Sequence, residues 1–261
     1  MRILVTNDDG ILAEGLWVLV KELKNIAWVV VVAPDREQSA IGTAVTLHHP
    51  LRVHRVKPTV PEVETYSVEG TPSDCVILAL NKLVKNKIDL VIAGINQGAN
   101  LGDDVLISGT VAAALQGYLR GLNALALSID AVHSSYLDTT VRLAALLAKW
   151  TSADALPGNI LLNVNVPELP LAQIQGIKLT RLASATHIDT AEEGNDGKRK
   201  YYWLVRHKTD EVADNQTDVW AVEQGNISIT PLHTNLLNRP APAMPGSLCS
   251  DLLQGLWQHQ R

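Results

Sequence analysis

The sequence predicts an α/β fold: a doubly wound, mostly parallel, Rossmann-like sheet with an antiparallel hairpin excursion and a C-terminal helical arm. Three observations predict it. Apolar, β-rich runs alternate with amphipathic stretches from Arg2 to Val164, the rhythm of strands joined by right-handed helical crossovers. The run Trp28–Ala33 is continuously apolar, as in a strand buried on both faces. With 261 residues, 46% of them hydrophobic, the chain can bury the core of one large domain.

Taken in order, Arg2–Thr6 reads as a strand and Ala13–Lys24 as a helix, with Leu16, Val20 and Leu23 on one face. The strand Trp28–Ala33 is followed by two shorter β segments near Leu51–Val56 and Glu64–Val68. Pro72–Lys85 is helical, Ile88–Ala93 a strand, Thr110–Gly121 a helix and Ala124–Ile129 a strand. Tyr136–Trp150 is a further helix and Ile160–Val164 a further strand. The rhythm then breaks. Residues from about 185 to 218 are polar and charged, but the run Tyr201–Val205 is strand-like and calls for burial, so the segment predicts a projecting hairpin rather than a long loop. Ile227–Thr230 reads as a late edge strand. Prolines at 240, 242 and 245 mark a stiff linker, and Ser247–Trp257 then lines up Leu248, Leu252, Leu253, Leu256 and Trp257 on one helical face. Residues 1–238 are thus expected to form one α/β domain, and 239–261 a linker and helix.

Composition narrows the function. A net charge of −5, a pI near 5.9 and the lack of a Lys/Arg block argue against binding of duplex nucleic acid. The first apolar run stops at Asn7, too early for a secretion signal, and Ala27–Ala33 is far short of a membrane span. A cytoplasmic protein with no membrane partner is expected. Its two cysteines, Cys75 and Cys249, are then reduced thiols rather than a disulfide scaffold, and Cys75 packs as a small hydrophobe.

Chemistry concentrates where strands end, because ligands of doubly wound sheets collect beyond the carboxyl edge. The first strand ends in Asn7-Asp8-Asp9-Gly10, the second runs into Pro34-Asp35-Arg36-Glu37-Gln38-Ser39, and Ile88–Ala93 runs into Gly94-Ile95-Asn96-Gln97-Gly98-Ala99-Asn100-Leu101-Gly102. Adjacent carboxylates repel, and a hard cation between them removes that cost. An isolated Asp-Asp-Gly reads first as a turn capping the next helix; neutral oxygens from the other two loops reverse that in favour of a metal site. An all-oxygen donor set without His or Cys selects Mg²⁺, Mn²⁺ or Ca²⁺ over Zn²⁺. Ser108-Gly109-Thr110 stands directly before the helical Val111–Leu115, where amides and hydroxyls suit a phosphate, although an ordinary Ser/Thr cap has the same sequence. A cation site and a phosphate nest on one crevice imply attack of a metal-activated water on a phosphoester.

These residues resemble the SurE family. The resemblance is carried by Ile3-Leu4-Val5-Thr6-Asn7-Asp8-Asp9-Gly10-Ile11, by Val32-Ala33-Pro34-Asp35-Arg36 leading to Ser39, and by Gly70-Thr71-Pro72-Ser73-Asp74-Cys75-Val76. It continues in Gly94-Ile95-Asn96, Asn100–Val105, Ser108–Ala114, Tyr201-Tyr202-Trp203, Thr217-Asp218 and Ser228–Leu232. It implies a divalent-metal-dependent nucleotidase acting on nucleoside 5′- and 3′-monophosphates. It implies Asp8, Asp9, Ser39 and Asn96 as ligands of one Mg²⁺ or Mn²⁺ per subunit, with Asp8, Asp9 and Asn96 central to catalysis. Asn7, Asn100, Ser108, Gly109 and Thr110 line the phosphate pocket by the same resemblance. A homodimer or homotetramer follows, with the C-terminal arm a candidate for exchange between subunits. Three positions depart from the family pattern: Ala40 stands where glycine is usual, Ala93 where serine is frequent, and Ile107 where an aromatic is common. None of them removes a ligand.

Two other functions fit the same residues: a metal-dependent glycosyltransferase using a nucleotide-sugar, and a non-catalytic nucleotide sensor. His133, His187 and His233 lack partner patterns and read as structural. Gly70–Asp74 reads as helix capping near the crevice, Asp103-Asp104 as a turn, and Tyr201–Trp203 as hairpin packing or a surface that stacks a base.

Overall fold

The structure, a computed structural model, describes residues 1–131, 133–151, 158–184, 186–208 and 214–233. Its centre is a nine-stranded sheet in the order β3-β4-β2-β1-β5-β6-β7-β11-β8. The strands are β1 (Arg2–Thr6), β2 (Trp28–Pro34), β3 (Val53–Arg55), β4 (Glu64–Val68), β5 (Leu90–Gln97), β6 (Asn123–Asp130), β7 (Leu161–Pro167), β8 (Gly176–Leu179) and β11 (Asn226–Leu232). From β4 to β7 every neighbouring pair is parallel, while β3 on β4 and β11 on β7 are antiparallel. β9 (His187–Asn195) and β10 (Lys200–Lys208) form a separate antiparallel ribbon.

Alternation along the buried strands feeds two cores. Val29, Val31 and Ala33 of β2 join Ile3 and Val5 of β1 beneath α1 (Glu14–Leu23) and α4 (Leu137–Thr151). Val30 and Val32 join Leu4 on the opposite face, beneath α2 (Pro72–Leu78) and α3 (Gly109–Tyr118). The sheet is therefore wound on both faces. The chain leaves β1 toward β2 on one side, and β5 pairs with β1 on the other, so the β1/β5 boundary is the switch point where such folds open a crevice.

Capping chemistry starts α2. The Thr71 hydroxyl accepts the Asp74 N–H at 3.1 Å, Asp74 accepts the Thr71 N–H at 3.0 Å, and Pro72 occupies the first turn. Past Leu78 the predicted helix widens into a single five-residue π turn, Ala79–Leu83. β5 extends beyond the predicted Ala93 because pairing with β6 resumes at Asn96↔Ser128 after an irregularity. β11 is an interior strand rather than an edge: β8, whose four mostly exposed residues carry little strand signal, lies outside it. The short helix α5 (Asp218–Glu223) precedes β11.

The hairpin excursion is present, but its aromatic run stays exposed, with Trp203 at 66% and Leu204 at 82%. A two-stranded ribbon offers no second layer; Tyr201 lies over Gly194 of the facing strand and packs edge-to-face on Trp203, at 6.4 Å between centroids. The predicted arm, 239–261, lies outside the described residues, as does Cys249. Cys75 is buried. Among the described residues no helix is long and apolar enough to cross a membrane.

Candidate active site

The switch point gathers residues from four segments. β1 delivers Asn7 and Asp8, both buried, and the partly buried Asp9. Asn7 donates its side-chain amide to the Gly10 carbonyl at 2.9 Å, which closes the turn after the strand. Its Oδ1 and the Asp9 Oδ2 are buried without a hydrogen-bond partner. Such orphaned oxygens are costly unless something else meets them.

α3 closes on the pair from the other side. Ser108 caps it, accepting the Val111 N–H at 3.1 Å, and the Thr110 hydroxyl donates to Asp8 Oδ1. Gly109 packs directly on Asp8: a Cβ there would lie 2.8 Å from the Asp8 Cβ. Asp8 thus sits against the first turn of a ten-residue helix, where unpaired N–H groups favour an anion.

The loop after β2 comes next. The Gln38 N–H donates to the Asp8 carbonyl at 2.7 Å, which anchors the main chain one residue before Ser39. The exposed Ser39 hydroxyl donates to Glu37 at 2.7 Å, not to the carboxylate pair. β5 borders β1 through Thr6↔Ala93 and carries Asn96 on its last turn of strand. Asn96 commits its amide nitrogen to the Gly98 carbonyl at 2.6 Å, so its carbonyl end is the one available to a ligand.

Electrostatics single out the pair. Burial pushes the Asp8 carboxyl above its ordinary value; the Thr110 hydrogen bond opposes the shift and Glu37 adds to it. Burial, with the Asp8 charge next, pushes Asp9 up to about 7, while the Gln97 backbone amide pulls the other way. Among the described residues no salt bridge reaches either carboxylate. Nor do the described residues include a cluster of three or more His, Cys, Asp and Glu side chains able to hold a metal, so a cation here would depend on two carboxylates and neutral oxygens.

Asn7, Asp8, Gly109 and Thr110 are therefore in direct contact or adjacent along the chain, and Ser39 and Asn96 flank them. Asn100 is 8% exposed and donates its side-chain amide to Ser128 at 2.8 Å. Three features escaped the sequence reading. Glu37 adds its charge beside the pair, Asp104 clasps His187 and Arg206 at the hairpin base, and Asn163 and Asn165 bind the main chain of Asn100. The last had a visible signal, two asparagines alternating with Leu162, Val164 and Val166 in an otherwise apolar strand.

The chain is similar to known proteins over most of its length. A family profile described as "Survival protein SurE" matches residues 3–189. A protein named 5′-nucleotidase SurE from Dehalococcoides mccartyi (strain ATCC BAA-2266 / KCTC 15142 / 195) is 54% identical over 242 residues, covering 92% of this chain and 91% of its own. One of the same name from Vibrio vulnificus (strain CMCP6) is 45% identical over 90% of this chain and 91% of its own. The crystal structure of the SurE protein from Aquifex aeolicus superposes with a TM-score of 0.77 at 34% identity, over 91% of this chain and 95% of that one. The profile spans most of the sequence, the relatives match it nearly end to end, and the fold is shared: the chain belongs to the SurE family.

Proposed function

We propose that this chain is a divalent-cation-dependent phosphomonoesterase that hydrolyses nucleoside 5′-monophosphates, and 3′-monophosphates as well, to nucleoside and phosphate. The relatives named 5′-nucleotidase support the reaction class. The observation that carries the reading to these residues is the contact between buried Asp8 and the first turn of α3, with Oδ2 of the neighbouring Asp9 and Oδ1 of Asn7 left unpartnered.

A phosphate dianion brought beside Asp8, Asp9 and Glu37 meets three carboxylates, and repulsion of that kind forbids binding unless positive charge is supplied. The donor set fits a hard cation such as Mg²⁺ or Mn²⁺, held by Asp8, Asp9, the Ser39 hydroxyl and the Asn96 carbonyl oxygen. When bound, the cation supplies charge neutralisation and activation of water. The protein's own groups do the rest. The Thr110 hydroxyl orients Asp8 and favours its ionised form. The first turn of α3, whose Thr110 N–H already faces the Asp8 carboxylate, offers its Gly109 end to phosphoryl oxygens as negative charge grows on them. Asn7 and Ser108 border that nest, and Asn100 shapes its far side through the main chain. Burial keeps competing water from the pair and strengthens each of these contacts.

The test is phosphate release from a panel of 5′- and 3′-mononucleotides, with Mg²⁺ or Mn²⁺ and after chelation. Release abolished reversibly by chelation is the expected result. Nucleotide binding without release favours a sensor, and consumption of a nucleotide-sugar without phosphate release a glycosyltransferase; either overturns the proposal. A cytoplasmic location and a homodimer or homotetramer belong to the same reading, and sedimentation measures the latter.

A further inference from the structure

The loop Gly98–Gly102 joins Asn96 to the turn that leads into α3, and the side chains that hold it have no role in the chemistry above. At its ends the Gly98 N–H donates to the Ile129 carbonyl at 2.9 Å and the Gly102 N–H to Asp218 at 2.8 Å. In the middle, Asn165 grips both main-chain groups of Asn100. Its Oδ1 accepts the Asn100 N–H at 2.8 Å, and its Nδ2 donates to the Asn100 carbonyl at 3.0 Å. Asn163 donates to the same carbonyl at 2.8 Å. The Asn100 side chain is fixed as well, on Ser128. Asn163, Asn165 and Ser128 are all fully buried.

A side-chain amide that pairs with an N–H and a C=O together imitates a strand neighbour, and here it does so for a segment outside the sheet. Amides in the middle of a buried strand are costly unless bonded, so the strand alone gives no reason for them. From the gripped segment, hydrogen bonds run straight to the phosphate turn. The Asp104 N–H donates to the Leu101 carbonyl at 3.0 Å, and the Ser108 N–H to the Asp104 carbonyl at 3.1 Å.

We propose that Asn163 and Asn165 are positioning residues for phosphoester hydrolysis: they fix the main chain at Asn100 and thereby the placement of Asn96 and the Ser108–Thr110 turn, without touching substrate. The inference rests on the nucleotidase reading. Misplacing a catalytic group by about 1 Å costs on the order of 100-fold in rate.

Asn165→Asp is the informative variant. It keeps the acceptor, loses the donor and sets an oxygen against the Asn100 carbonyl. Ser128→Ala is the milder companion, removing only the bond to the Asn100 side chain. Each is assayed for kcat and KM on a 5′-mononucleotide with Mg²⁺ and followed by hydrogen exchange of the whole chain. The expected result is a kcat about 10- to 100-fold lower for Asn165→Asp at a KM within about threefold. It comes with faster exchange over residues 98–108 and retained protection in β1, β5 and β6, and Ser128→Ala shows the same pattern more weakly. Normal kcat with a loosened loop overturns the proposal. So does exchange that rises equally across the sheet in both variants, which is plain destabilisation. An inactive unsubstituted chain overturns the nucleotidase reading and the positioning role together; an active one indifferent to Asn165→Asp overturns the positioning role alone.

Discussion

Two Asp-Asp pairs stand at the same edge of this molecule, and their surroundings have nothing in common. Asp103 and Asp104 are met by partners: Asp103 accepts the N–H and hydroxyl of Thr186, both at 2.9 Å, and Asp104 pairs with Arg206 at 2.7 Å and His187 at 3.0 Å. Asp8 and Asp9 receive one hydroxyl and weak backbone help, but no cation, and burial raises both. Identical dipeptides have thus been put to opposite uses. The compensated pair is a clasp that ties the hairpin ribbon to the turn before α3. The uncompensated pair has its charge balance left for something outside the chain to complete, which is the condition of a ligand site.

The largest separation between the pairs is in activity. Asp8→Asn is expected to lower kcat/KM for a 5′-mononucleotide by 10³-fold or more, on the order expected for losing a group central to charge stabilisation. Asp104→Ala is expected to lower it less than about tenfold, because its effect travels through the position of Ser108. Comparable losses in steady-state assays would erase the distinction. The pairs should also differ in sign on stability. Asp104→Ala leaves Arg206 with Asp189 alone and removes the carboxylate that faces His187, and is expected to cost about 1–2 kcal/mol in urea unfolding. Asp9→Asn removes a buried, repelled charge and is expected to stabilise the cation-free protein at pH 8 by about 1–2 kcal/mol.

That second effect carries its own pH signature. The Asp9 carboxyl titrates near 7 when folded against an ordinary 3.8, so the folded state holds its proton more tightly than the unfolded chain does. The resulting stability is fully present below about pH 4 and is lost as pH rises through about 7. Asp8 and Asp218 are shifted the same way by burial, so the melting temperature of the cation-free protein should fall between pH 5 and pH 8. The Asp9→Asn protein should show a shallower fall, and Mg²⁺ should flatten that of the unsubstituted protein, since a cation favours the ionised pair. Identical slopes with and without Asp9 would remove its buried charge from the account.

How much of this contrast was legible in the sequence differs from residue to residue. Strands with a continuous apolar run, such as Trp28–Ala33, announce themselves because burial on both faces leaves a pattern in a short window. The carboxylates at the end of the first strand were legible for the same reason: a strand has to stop where charge begins. The fate of Asp103-Asp104 was not legible, because His187 and Arg206 are 83 and 102 positions downstream of Asp104 and only the folded ribbon returns them. Asn163 and Asn165 were present as an anomaly in an apolar strand, but their partner is the main chain of Asn100, which no side-chain pattern records. β8 and α5 are short and depend on neighbours in the sheet for their form, so local propensity said little about either.

The smallest expected effect concerns how the backbone approaches each pair. Gly102, at φ +51°, leads into Asp103, and a Cβ there would come within 2.7 Å of Thr186, so glycine is required both by conformation and by space. Ala40, at φ +54°, follows Ser39 on the approach to the other pair and adopts the same left-handed conformation with a methyl group that disfavours it. For an L-residue that region costs about 1–2 kcal/mol relative to the right-handed one, and glycine escapes the cost while giving back part of it through a freer unfolded chain. Ala40→Gly is therefore expected to stabilise the protein by about 0.5–1 kcal/mol, a rise of roughly 1–4 °C in melting temperature for a domain of this size. A rise confined to the cation-free protein would mean that cation binding already draws Ala40 out of the left-handed region. A fall would mean that its methyl makes contacts around Ser39 that outweigh the strain, and the loop beside the uncompensated pair would then be as tightly specified as the one beside the clasp.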